Sequence, residues 1–146
     1  MKKFIAILLF SILSISSFAD TINAEKQGSS LEVLDRVVAL TSTYSRASGL
    51  EAKVIELLGG DGYNPTRMVV VFNDGYDSKI FELGTMLYSV NRITFSDIDT
   101  LVINYTQDTI EVESGNAAQV NRSLQIKILR DSKGQLTDNA ITTDLK

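Results

Sequence analysis

"SSLEVLDRVVALTSTYSRASGLEAKVIELLGG", Ser29–Gly60, is the stretch on which the fold class turns. Ser29 and Glu32 stand three apart just before an apolar run, the spacing of a capping box. Leu31, Leu34, Val37, Val38 and Tyr44 then fall on one broad helical stripe, and Glu32 and Arg36 pair at i, i+4 on the opposite side. A second Ser-x-x-Glu at Ser48–Glu51 precedes Leu50, Val54, Leu57 and Leu58, again at helical spacing. The spacing predicts helices over about 30–46 and 49–58, with a corner at Ser48–Gly49; one long helix through Gly49 is the alternative. Gly59 and Gly60 stand where a glycine stops a helix.

Beyond Gly60 the period changes to two. Arg67–Phe72 reads as a strand buried on both faces, with Pro65 just before it, where a missing amide costs little. Lys79–Leu83 and Thr85–Phe95 read as strands, although Ile80, Leu83, Leu87 and Val90 also fit a helix. Near Asn91–Arg92 the alternation slips by one residue, as a bulge would make it do. Leu101, Ile103 and Tyr105 alternate with Asn104 and Thr106, and Leu124, Ile126 and Ile128 alternate with Gln125 and Lys127. Turns are expected at Gln107–Asp108, Ser114–Asn116 and Asp131–Gly134. The expected fold is therefore α+β: two N-terminal helices, or one kinked helix, on one face of a five- or six-stranded antiparallel sheet. Leu34, Val38, Leu57, Val70, Ile103 and Ile126 are its expected core.

The start of the chain bears on location. Lys2 and Lys3, the apolar run Phe4–Ile15 and Ser17-Phe18-Ala19 form the three parts of a secretory signal, with cleavage expected after Ala19 and Ala24/Glu25 as the second choice. The run is shorter than the ~20 residues a bilayer span needs. The short Lys-Lys start suggests a bacterial protein, soluble in the periplasm or outside the cell, with no stable membrane insertion after cleavage. The expected organisation is a signal peptide at 1–19, a flexible leader at 20–28, one domain at 29–136 and a polar C-terminal tail at 137–146. Removing 19 of 146 residues leaves 127, and loss of the two lysines takes the net charge from −4 to −6. Such an acidic chain argues against nucleic acid as a partner.

The missing residue types restrict the chemistry further. The chain holds no histidine and no cysteine. Ser-His-acid and Cys-His catalysis and His/Cys zinc sites cannot be built from it, and no cofactor fingerprint is present. Any enzyme activity would need carboxylates or a Ser–Lys pair. Asp97 and Asp99, in "FSDIDTL", resemble the D-x-D of a phosphatase motif, but Leu101 stands where that motif has Thr or Val. A hairpin turn with Ile98 tucked inward is the simpler expectation.

"GGDGYNPTR" resembles one calcium-binding nonapeptide repeat, with Asn64 in place of the Asp, yet a single copy cannot stack. Asp-Gly-Tyr occurs at Asp61–Tyr63 and again at Asp74–Tyr76. Asp61, Asn64, Asp74 and Asp77 are therefore weak metal candidates beside Asp97 and Asp99. Two loops at opposite ends of one strand cannot share an ion, so both read first as turns. Tyr63 and Tyr76 are candidates for a binding surface, since loop tyrosines supply contact area at low entropic cost. The function expected from all this is a non-catalytic binding, inhibitory or accessory module for an unidentified protein or small ligand. The alternatives are a small-ligand-binding or carboxylate-based enzyme domain with a pocket between helices and curved sheet, and an envelope protein that self-associates through an edge strand.

Overall fold

Val37–Ser45 and Leu50–Leu58 are strands, and they overturn the α+β expectation. The computed structural model describes residues 19–23, 36–59, 65–111 and 115–145, which form an all-β fold of nine antiparallel strands in two sheets. The strands are β1 (Ala19–Asn23), β2 (Val37–Ser45), β3 (Leu50–Leu58), β4 (Thr66–Asn73) and β5 (Ser78–Leu87). After them come β6 (Ser89–Asp97), β7 (Thr100–Ile110), β8 (Ala117–Arg130) and β9 (Leu136–Leu145). One sheet has the order β1-β9-β8-β7-β6, the other β2-β3-β4-β5. No helix among the described residues is long and apolar enough to cross a membrane. The signal-peptide reading of residues 1–19 lies outside the described residues except at Ala19, which begins β1, and the first capping box and Leu34 lie outside them too.

The helical reading fails because apolar spacing in this stretch does not follow burial. β2 is rich in residues that suit a pleat, namely Val37, Val38, Thr41, Thr43 and Tyr44. In β3 the inward positions are Leu50, Ala52, Val54 and Glu56, and the outward ones Glu51, Lys53, Ile55 and Leu57. A glutamate facing in and two apolar residues facing out hide the period of two. Leu50, Val54, Leu57 and Leu58 then imitate a helical stripe. The expected corner at Ser48–Gly49 is a chain reversal: Gly49 takes φ +68°, and its N–H donates to the Ser45 carbonyl at 2.9 Å. Ser48 caps no helix, since its hydroxyl donates to the Ile98 carbonyl of the facing sheet at 2.7 Å.

The phases read for Leu101–Tyr105 and Leu124–Ile128 hold, whereas the 67–72 strand buries Met68, Val70 and Phe72 on one face only and leaves Val69 and Val71 partly exposed on the other. Met68, Val70, Phe72, Phe81, Leu83, Ile93, Leu101, Ile103, Tyr105, Leu124, Ile126 and Ile128 join one buried core with Leu50, Ala52, Val54, Leu136 and Ala140. Phe72 and Phe81 meet edge to face, with centroids 6.1 Å apart, a favoured aromatic geometry. Of the expected core, Val70, Ile103 and Ile126 are fully buried. Val38 instead faces out, and Leu57 is partly exposed.

Residues 80–91 belong to β5 and β6, separated only by Tyr88, where the chain passes from one sheet to the other. The Tyr88 N–H donates to the Thr106 carbonyl at 2.8 Å. The slip near Asn91 is a register shift between Val90 and Arg92, and such irregularities are common where strands turn a corner between sheets. Gln107–Asp108 is not a turn but lies within β7, opposite Val120 and Gln119. The stretch read as a polar tail is β9, paired on both sides, and the leader's first residues form β1 beside it.

Candidate functional site

Four hairpin connections meet at one end of the two sheets: residues 46–49, 74–77, 98–99 and 131–135. Two belong to each sheet. Side chains tie them across the gap. Arg130, the last residue of β8, donates from Nε to Asp99 Oδ1 at 2.9 Å and from Nη1 to the Gly134 carbonyl at 2.8 Å. Its Nη1 also reaches Asp74 Oδ2 at 3.5 Å, in the facing sheet's loop. Lys79, at the start of β5, pairs with Asp77 at 3.0 Å and with Asp138 of β9 at 2.7 Å. Those two hydrogen bonds, Asp138's the stronger, hold the Lys79 ammonium pKa above the ordinary lysine value.

The loop after β4 is fixed by its own side chains. Asn73 Oδ1 accepts from the Gly75 N–H at 2.6 Å, and Asp74 Oδ1 accepts from the Tyr76 and Asp77 N–H groups at 3.0 and 2.9 Å. Gly75 has φ +90°, a conformation that side-chain-bearing residues rarely adopt. Burial alone would raise the pKa of Asp74, but the amides of Asp77 and Tyr76 and the Arg130 guanidinium outweigh it and lower the value below the ordinary aspartate range. The expected turn is present, and it carries Tyr76 at its tip, fully exposed.

The predicted acidic candidates separate into different roles. Asp74 and Asp99 share Arg130, whereas Asp77 turns to Lys79. Asp97 accepts from its neighbour Ile98 N–H at 2.7 Å and so braces the β6–β7 turn. Ile98 is exposed rather than tucked inward. Among the described residues, no group of three or more acidic, His or Cys side chains could hold a metal ion. Asp61, Tyr63 and Asn64 lie outside the described residues, so the first Asp-Gly-Tyr loop receives no structural account.

No family model, curated protein or solved structure matches this chain. The comparisons therefore carry nothing about a signal peptide, secretion, the periplasm or bacterial origin, and the all-β sheets replace the α+β label.

Sequence reasoning missed Arg130, Lys79 and Asp138. A signal for the first two was present. Leu124, Ile126 and Ile128 set an inward phase that arrives at Arg130, and Phe81 and Leu83 set one that begins at Lys79. A charged residue on the inward phase at a strand end must find a partner there or reach past the core. Glu56 is the same signal at the other end of β3. It is only 6% exposed, and burial raises its carboxyl pKa, opposed by a hydrogen bond from the Val90 backbone.

Proposed function

We propose that this protein is an exported, non-catalytic binding module that engages a protein partner through the hairpin end bearing Tyr76. One observation carries the reading: a fully exposed tyrosine sits on a loop held by three side-chain-to-backbone hydrogen bonds and backed by Arg130. An aromatic side chain carried on a pre-ordered backbone leaves little loop entropy to lose on binding and supplies a large contact area. The absence of histidine and cysteine from the chain supports a non-catalytic role. Export is supported by the Lys-Lys start, apolar run and Ser-Phe-Ala site at residues 1–19. Intact mass of the chain recovered outside the cytoplasm should correspond to a start at Asp20, and retention of residues 1–19 would refute the cleavage.

The binding reading is tested by placing a photo-crosslinking residue at position 76 and, as a control, at Tyr88, half-exposed at the opposite end. Adducts are expected from position 76 alone. Excess unlabelled protein should compete them away, and excess Tyr76→Ala protein should not. Equal adducts at both positions, or equal competition by both proteins, would remove the hairpin end from binding.

A further inference from the structure

β1 holds the peptide bond at which the export reading places the cut. All five of its residues, Ala19–Asn23, pair with β9, with Ala19 opposite Thr143 and Asp20 opposite Thr142. In the uncut chain the Ala19–Asp20 bond is therefore part of a β ladder. The strand is also held from its inner side. Ile22 lies opposite the fully buried Ala140 and packs against the core, while Thr21 is exposed. β1 runs beside β5, the edge strand of the facing sheet.

That placement separates the two cleavage candidates. A cut after Ala19 keeps Asp20–Asn23, Ile22 among them, whereas a cut after Ala24 removes β1 and leaves the ten residues of β9 as an open edge. Open edges of that length invite pairing with other chains. The ladder also decides when the bond is cut. A protease encloses its substrate as an extended segment, so a bond within folded structure is cut only from molecules in which that segment has opened. β9 along one flank of β1 and β5 of the facing sheet prevent such enclosure while β1 is docked. We propose, resting on the export reading of residues 1–19, that folding gates processing at Ala19–Asp20. A signal peptidase adds water across this bond before β1 pairs with β9, leaving a carboxylate on Ala19 and an ammonium group on Asp20. The freed Asp20–Asn23 then docks, and Ile22 completes the core.

The uncut 146-residue chain, folded in mild detergent and mixed with purified signal peptidase, tests this through the rate at which the product starting at Asp20 appears. Two variants undock β1 without touching the sequence around the bond. Ala140→Arg fills the fully buried position opposite Ile22, and Ile126→Asp puts a charge at a fully buried core position. Amide exchange at Thr21–Asn23 reports the docking itself: protection is expected in the wild-type chain and not in either variant. Whether a variant loses β1 alone or unfolds entirely, its cut should be at least ~10-fold faster than that of the folded wild type. Equal rates in wild type and an undocked variant would overturn the gating while leaving the export reading intact. No cut at Ala19 in any of the three chains would instead refute the export reading, and the gating with it. A product starting at Glu25 would overturn the choice of bond.

Discussion

The β7–β8 and β2–β3 hairpins differ in what their outer faces show to water. Across β7 and β8, Leu101 pairs with Ile126 and Ile103 with Leu124 on the inner face. On the outer face Asn104 meets Ser123, whose hydroxyl donates to Asn104 Oδ1 at 2.5 Å, and Thr106 lies opposite Asn121. Apart from Val102 and Leu129, that outer face is polar where the inner face of Leu101, Ile103, Leu124, Ile126 and Ile128 is apolar. Across β2 and β3 the outer face is also apolar, with Leu40 opposite Ile55 and Val37 opposite Leu57. The inner face there carries Ala39, Thr41 and Thr43, with Glu56 opposite Ala39. Burial and hydropathy no longer coincide in that hairpin. A strand whose two faces differ in hydropathy identifies itself, whereas a strand whose faces are mixed can pass for an amphipathic helix.

Truncations that contrast buried and exposed apolar positions test this difference most strongly. Ile126→Ala or Ile103→Ala removes a fully buried side chain and should cost ~2–5 kcal/mol in denaturant unfolding. Val38→Ala should cost well under 1 kcal/mol, because the side chain is mostly in water. A loss at Val38 equal to that at Ile126 would mean that the outer face of the four-stranded sheet is covered after all.

Next in size is Gly75→Val, which forces a β-branched residue to φ +90°. A cost of about 1–3 kcal/mol is expected, although a Cβ there would meet nothing within 4 Å. A melt indistinguishable from wild type would show that the loop relaxes freely, removing the pre-ordering on which the Tyr76 proposal rests.

The two shifted carboxyls predict opposite pH effects. Glu56 has a raised pKa in the folded state. Between its unfolded and folded pKa values the folded state binds more protons, so stability falls as pH rises through that window. Glu56→Gln should therefore stabilise the protein at neutral pH and flatten that slope. Asp74 has a lowered pKa. Its contribution is present above the ordinary aspartate range and disappears as pH falls through the folded value. Asp74→Asn should lose stability at neutral pH and nothing in strong acid. Urea midpoints across pH for both variants check the signs, and parallel pH profiles in wild type and variant would refute either assignment.

The smallest expected effect is that of calcium. A site filled at ~100-fold excess over its Kd would add about 2.7 kcal/mol of stability. Asp74, Asp77, Asp97 and Asp99 are taken up by Arg130, Lys79 and backbone amides. The melting temperature should thus be the same in millimolar calcium and in chelator. A rise abolished by Asp74→Asn would assign the ion to the second Asp-Gly-Tyr loop, and a rise abolished only by Asp61→Asn would assign it to the first.

Much of the five-stranded sheet was legible because its outer face is polar. Leu101–Tyr105 and Leu124–Ile128 have the phases the alternation assigns them, and the slip at Asn91 is a real shift in register. The Asp74–Asp77 and Asp131–Gly134 turns were legible from Asx chemistry, with Asp131 Oδ1 accepting from the Lys133 and Gln135 amides. The polar-looking end of the chain was not. β9 has Leu136 and Ala140 buried, while its other residues satisfy their backbones between β1 and β8, and a strand held mainly by ladder hydrogen bonds on both sides needs little hydrophobic signal of its own. The candidate site divides in the same way, with Asp74, Asp99 and Tyr76 visible as turn residues and their convergence invisible.

By itself the sequence determined the local features. These are the absence of histidine and cysteine chemistry, the acidic charge, the turn residues and the strands whose faces differ. Only the tertiary structure decided that Val37–Leu58 is a hairpin, that Arg130 joins Asp74 to Asp99, and that the Ala19–Asp20 bond lies within a ladder. Periodicity and turn propensity depend on neighbours a few residues away, and they are written in order along the chain. Residues 74, 99 and 130 meet only because hairpins from two sheets end on the same side of one core, so their pairing comes from the path of the whole chain.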